Sequence, residues 1–123
     1  MDLNQVTVPS CDIAASIRFY TELGLRLIVD SPHYARFECP EGGSTFSVHL
    51  AAETPPSGAV VYFEVAKLER TVAALQEKGL HFSSEPTQQP WLWFEARLKD
   101  PSGNEICLYT AGDNRRNPPW RIN

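Results

Sequence analysis

The chain repeats itself at an interval of 55 residues. "QVTVPSCDIAASIRFYTELGLRL", from Gln5, and "VVYFEVAKLERTVAALQEKGLHF", from Val60, share one pattern. Val6 matches Val61, Val8 matches Phe63, Ile13 matches Leu68, Ile17 matches Val72, Gly24 matches Gly79 and Leu25 matches Leu80. Each copy reads as a strand, a helix ending at a glycine, and another strand. Ile13, Ile17 and Tyr20 fall on one helical face, as do Leu68, Val72 and Leu75. The glycines suit the left-handed turn that closes a helix. Asp12 or Ser10 can cap the first helix, and Lys78 suits the C-terminal end of the second.

The likeness resumes with a shift of 58, where "STFSVHLAA" matches "GNEICLYTA", with Val48 opposite Ile106 and Leu50 opposite Leu108. "AAETPPSG", residues 51–58, is rich in turn-formers and reads as a linker. The predicted order is βαβββ, linker, βαβββ. Strands are expected near 3–9, 25–30, 34–39, 45–51, 59–65, 80–84, 92–98 and 104–110, and helices near 12–23 and 67–78. This is an α+β chain of paired βαβββ modules (1–52 and 58–111) forming a curved mixed sheet within one domain, 1–112. Neither module is large enough to be comfortable alone. Residues 113–123, with Pro-Pro and three Arg, read as an extended tail, and Trp120 argues that the tail docks on something such as a partner subunit.

Side chains alternate along a strand. One parity is apolar: Val6 and Val8; Phe46, Val48 and Leu50; Val61, Phe63 and Val65; Leu92, Phe94, Ala96 and Leu98; Ile106 and Leu108. The other carries Gln5 and Thr7; Ser47 and His49; Val60, Tyr62 and Glu64; Trp93, Glu95 and Arg97; Glu105, Cys107 and Tyr109. A face simply bathed in water would carry more Lys and fewer aromatics. This mixture fits the lining of a ligand cavity better than a half-exposed sheet or a dimer contact. Trp93 and Trp91 could stack on a flat ligand, Tyr62 and Tyr109 could hydrogen-bond one, and Arg97 could hold an anionic group. The plainer alternatives are cavity filling for the aromatics and a salt bridge from Arg97 to Glu95 or Glu105.

Bulk composition narrows the function classes. A net charge of -4 with no basic stripe argues against nucleic acid as a partner. The apolar runs are too short to span a bilayer, and "MDLNQVTV" does not look like a secretory signal. Three cysteines without close spacing fit a reduced, cytoplasmic protein better than a disulfide scaffold.

The segments "DIAASIRFYTELGLRL", "VVYFEVAKLERTVAALQEKGL" and "DPSGNEICLYT" resemble the vicinal-oxygen-chelate superfamily, which includes glyoxalase I, bleomycin-resistance proteins and extradiol dioxygenases. The resemblance spans residues 2–111. It implies a homodimer and a small organic ligand. It also implies four metal-binding positions, which fall at Gln5, His49, Val60 and Cys107. Val60 offers no donor atom, and no carboxylate occupies any of the four. An extradiol dioxygenase is therefore disfavoured, as is a glyoxalase I with a full nitrogen and oxygen ligand set. A reduced site of His49, Cys107 and Gln5 could still take zinc, nickel or iron, since zinc accepts Cys and His. The favoured expectation is no cofactor, with His49 and Cys107 as cavity residues. Because chemistry in this family often removes a proton beside a carbonyl, Glu64 and Glu105 are candidate general bases.

Three functions follow from the resemblance. The first is a protein holding a small organic molecule in a cup-shaped site without the usual metal, as bleomycin-resistance-type members do. The second is a metal-dependent lyase or isomerase with an altered site. The third is a non-catalytic dimeric interaction domain.

Overall fold

The computed structural model describes residues 1–53 and 58–122, so the expected linker at 51–58 lies partly outside the described residues. Among the described residues, eight strands and two α-helices appear in the expected order. The first module comprises β1 (Gln5–Ser10), α1 (Ile13–Leu23), β2 (Arg26–Ser31), β3 (Tyr34–Glu38) and β4 (Thr45–Leu50). The second comprises β5 (Val60–Glu64), α2 (Leu68–Glu77), β6 (Phe82–Gln88), β7 (Phe94–Lys99) and β8 (Glu105–Thr110). Each module forms its own four-stranded mixed sheet, ordered β1-β4-β3-β2 and β5-β8-β7-β6. In each, the first strand runs parallel to the last and the remaining pairs are antiparallel.

Two compact units result: Met1–Gly58 with Asp100–Asn104, and Ala59–Lys99 with Glu105–Asn123. In the first, Asp12 caps α1 by accepting from the Ala15 amide at 3.1 Å, while Ser10 turns to the Ser16 hydroxyl at 2.6 Å. Gly24 closes the helix at φ 119°, where a side chain would be strained. The buried face of α1 presents Tyr20 to Phe46 and Phe37, with ring centroids at 4.6 and 5.6 Å. Val8, Leu25, Ala35 and Val48 complete this core.

The turn Asp100–Asn104 joins β7 to β8, yet it belongs to the first unit. Buried Asp100 accepts the Tyr20 hydroxyl at 2.6 Å, and its other oxygen accepts the amides of Ser102 and Asn104. The Asn104 side chain donates to Asp100 and to the Pro9 carbonyl, and the Ser102 hydroxyl accepts from the Cys11 amide. Burial, followed by the charge and hydrogen bond of Asp100, pushes the Tyr20 phenol far above its ordinary range.

In the second unit, Leu68, Val72 and Leu75 of α2 cover Ala96, Leu98, Ile106 and Leu108. Apolar side chains thus face the helix in both sheets, and the opposite parity lies on the other face, as the alternation predicts.

Several expectations need correction. The register pairs Val6 with Phe46 and Val61 with Ile106. Phe46 is therefore the counterpart of Ile106, Ser47 of Cys107 and His49 of Tyr109, a shift of 60 rather than 58. The pattern could not show this, because a slip of two residues keeps every side chain on its face. The strand expected at 80–84 runs instead over Phe82–Gln88. It is an edge strand with register shifts beside Ser84, so Pro86 removes no ladder bond that the sheet needs. Leu92, read as a strand residue, lies in the preceding turn at φ 68°, its amide bonded to the Gln89 carbonyl. The tail is not extended: a 3-10 turn spans Gly112–Arg115, and Asn117 and Arg121 close further turns on Asp113 and Pro118.

Candidate ligand-binding faces

On the face of the second sheet away from its helix, three aromatic rings meet. Trp93 and Tyr109 stack with centroids 4.3 Å apart and planes at 14°. Tyr62 stands edge-on to both, at 5.6 and 5.8 Å. Tyr109 is buried and Trp93 half-buried, whereas Tyr62 is 44% exposed and presents an open ring. The Arg97 guanidinium lies 6.0 Å from the Tyr62 centroid and reaches its hydroxyl at 3.4 Å. Stacked rings beside a cation form a platform suited to a flat ligand.

Below the rings lies a buried polar pair. Glu95 is only 3% exposed, 3.4 Å from Arg97, and accepts the Cys107 thiol at 3.6 Å. Burial, then the charge of Glu95, pushes the Cys107 thiol up to about 12. This thiol is a protonated donor, not a nucleophile. Burial and the nearby Glu64 charge likewise raise Tyr109.

The two candidate bases take different places. The Glu64 carboxylate accepts the backbone amides of Ala111 and Gly112 at 2.8 and 2.9 Å, with Arg115 at 3.9 Å, so it clamps the start of the 3-10 turn. Glu105 is partly buried and opposes Val60 at one end of the face.

The matching face of the first sheet is more polar. Fully buried Ser47 bonds to Thr7 at 2.9 Å, and Gln5 accepts the Thr45 hydroxyl at 2.7 Å. Arg36 donates through Nε to the Tyr34 hydroxyl at 2.8 Å, with its guanidinium 5.4 Å from the ring centroid. Hydrogen bonding to Ser47, and then to Arg36, holds the Tyr34 phenol below its ordinary value against the opposing effect of burial. Exposed His49 stands opposite Tyr34 in the register. Tyr34 and Arg36 are absent from the sequence-based candidates. The alternation in "YARFE" was the available signal, since Ala35 and Phe37 point into the core and send their neighbours to this face.

The second unit also has an open depression of about 680 Å³ near the start of α2, lined by residues including Lys67, Arg70, Phe94 and Gly112. It does not include the aromatic platform.

These modules have known counterparts. The family model described as Glyoxalase/Bleomycin resistance protein/Dioxygenase superfamily matches residues 2–108. The chain belongs to that superfamily. Among solved structures, a glyoxalase/bleomycin resistance protein/dioxygenase from Nocardioides superposes with a TM-score of 0.80 at 19% identity, covering 100% of this chain and 90% of that one. TnmS3, an antibiotic binding protein from Streptomyces sp. CB03234, superposes with a TM-score of 0.78 at 23% identity, covering 91% and 97%. A bleomycin resistance determinant encoded on the transposon Tn5 gives a TM-score of 0.76 at 18% identity, covering 91% and 99%. No curated protein matches the chain.

The superfamily's metal positions can be tested against the donors present. Gln5 and His49 share a face but lie four register steps apart, about 13 Å along the strands. Val60 supplies no donor, Gln5 already accepts from Thr45, and the Cys107 thiol is held protonated against Glu95. Ser47, the true counterpart of Cys107, is a neutral hydroxyl bonded to Thr7. Among the described residues no three His, Cys, Asp or Glu side chains group as a metal site. This donor set is unsuited to the divalent ion, because metal ligation favours deprotonated thiolate, carboxylate or imidazole.

Proposed function

We propose that this superfamily member binds a small organic molecule on its helix-free sheet faces, without a resident metal ion. The carrying observation is the Trp93–Tyr109 stack with the exposed Tyr62 ring set against it. A sheet face in plain contact with water gains nothing from three packed aromatic rings, whereas a flat ligand gains a surface to lie on. The antibiotic-binding names of structural neighbours support the reading. The raised Cys107 thiol and the donorless Val60 support the metal-free form of it.

A thermal-shift screen of aromatic and glycopeptide compounds, bleomycin included, tests the proposal. At least one compound should raise the Tm of the wild type, the rise should survive exhaustive chelation, and it should shrink in Tyr62→Ala. Tyr62 is exposed enough for that change to leave the fold intact. A screen without hits, or binding that vanishes with chelator and returns with zinc, overturns the reading; the second result would restore an altered-metal lyase or isomerase. The same reading includes a cytoplasmic homodimer, for which sedimentation velocity should give about twice the monomer mass.

A further inference from the structure

Arg36 and Arg97 are counterparts. Arg36 stands opposite Ser47 in the first sheet, and Arg97 opposite Cys107 in the second. Two residues earlier on the same face stand Tyr34 and Glu95. The second module therefore neutralises its guanidinium with its own carboxylate, at 3.4 Å. The first module has a phenol in that place. Arg36 Nε is fixed by the Tyr34 hydroxyl, and among the described residues no carboxylate lies within ion-pair distance of Arg36. Glu38, the carboxylate on the same face of β3, is taken by Arg26 at 3.2 Å. A half-buried guanidinium, oriented through one nitrogen and, among the described residues, unpaired at the other two, is preorganised for a forked oxyanion.

We propose that this face of the first sheet is an oxyanion site, with the terminal guanidinium nitrogens of Arg36 as its charged donors and the Tyr34 hydroxyl fixing their orientation. The site takes a carboxylate or phosphate group. The inference deepens the small-molecule reading by giving the ligand a negative group, but its test does not depend on an organic ligand.

The test is an NMR titration of the full-length 15N-labelled chain, following the arginine Nε–Hε signals. The Arg36 signal is assigned by its loss in Arg36→Lys. Inorganic phosphate, benzoate, neutral benzamide and chloride are added separately at matched ionic strength. Phosphate or benzoate should move the Arg36 signal saturably and leave Arg97 in place, while benzamide and chloride do nothing. Response to benzoate alone identifies a carboxylate site, and to phosphate alone a phosphate site. Arg36→Gln should weaken binding by about tenfold or more, as expected for a lost charge-assisted hydrogen bond.

The proposal is overturned if neither oxyanion moves Arg36, if benzamide or chloride moves it equally, or if Arg36→Gln binds as well as wild type. The wild-type titration decides the matter even if that variant fails to fold. A shift with phosphate but no hit in the organic screen would sink only the small-molecule reading. Tyr62-dependent organic binding with an unmoved Arg36 would sink only this inference.

Discussion

The Cys107 thiol donates to the buried carboxylate of Glu95 at 3.6 Å. Two groups that would both be negative at high pH are thus packed together away from water, and the pair stays comfortable only while the thiol keeps its proton.

Stability should therefore fall in alkali. A thiol with the ordinary value of 9.0 stands near 12 in the folded protein. Below pH 9 both states hold the proton and the contribution is fully present. Between pH 9 and 12 the unfolded chain has released it while the folded chain has not, so stability declines as pH rises, by about 1.4 kcal/mol at most for each unit. Tyr20 and Tyr109 are raised as well and add to the loss above pH 10. Urea midpoints at pH 8, 9 and 10 should show a drop from 9 to 10 that is shallower in Cys107→Ala. Equal slopes would refute the Cys107–Glu95 account.

The three thiols should react in a set order at pH 8. Cys11 is exposed, Cys39 is half-buried with its thiol raised by that burial, and Cys107 is wholly buried. Iodoacetamide followed by mass mapping should label Cys11 first and Cys107 only on unfolding. The spread from first to last should be roughly a hundredfold or more in rate. Early labelling of Cys107 would contradict its buried, protonated state.

Tyr20→Phe should destabilise the protein by about 1–2 kcal/mol in denaturant unfolding. The variant keeps the aromatic packing on Phe46 but removes one donor to buried Asp100. A loss below a few tenths would mean that Asn104 alone satisfies that oxygen.

Glu64→Ala tests a structural role against a catalytic one. Removing the acceptor of two backbone amides should cost about 1–2 kcal/mol and shift the amide resonances of Ala111 and Gly112. Binding at the platform should persist. Unchanged amides would return Glu64 to the list of candidate bases.

Much of the fold could be read from the chain because it rests on local periodicity. Ile13 and Tyr20 on one helix, and Val6 with Val8 on one strand, repeat at spacings that their counterparts share. The last strand of each module was placed on the right face but two residues out of step, since Val48 and Phe46 are equally good apolar partners for Ile106 in a pattern of period two. The aromatic platform was partly legible: Tyr62, Trp93 and Tyr109 were named, but their stacking depends on cross-strand register. Burial of Glu95 was not legible, because a charged residue in an alternating strand looks solvated until its neighbours are placed. Arg36 was missed for a related reason. Its significance lies in what stands two residues before it in each module, and that comparison needs the true register.

The turn from Asp100 to Asn104 has a consequence for how the protein is made. The first unit receives these residues from a point more than four-fifths of the way along the chain. A ribosome delivers the N-terminal end first, so α1 would emerge with the Tyr20 hydroxyl still waiting for its acceptor. The opening half cannot reach its finished state during synthesis until Asp100–Asn104 has appeared. Severing the molecule near its middle would leave that half lacking a piece of itself.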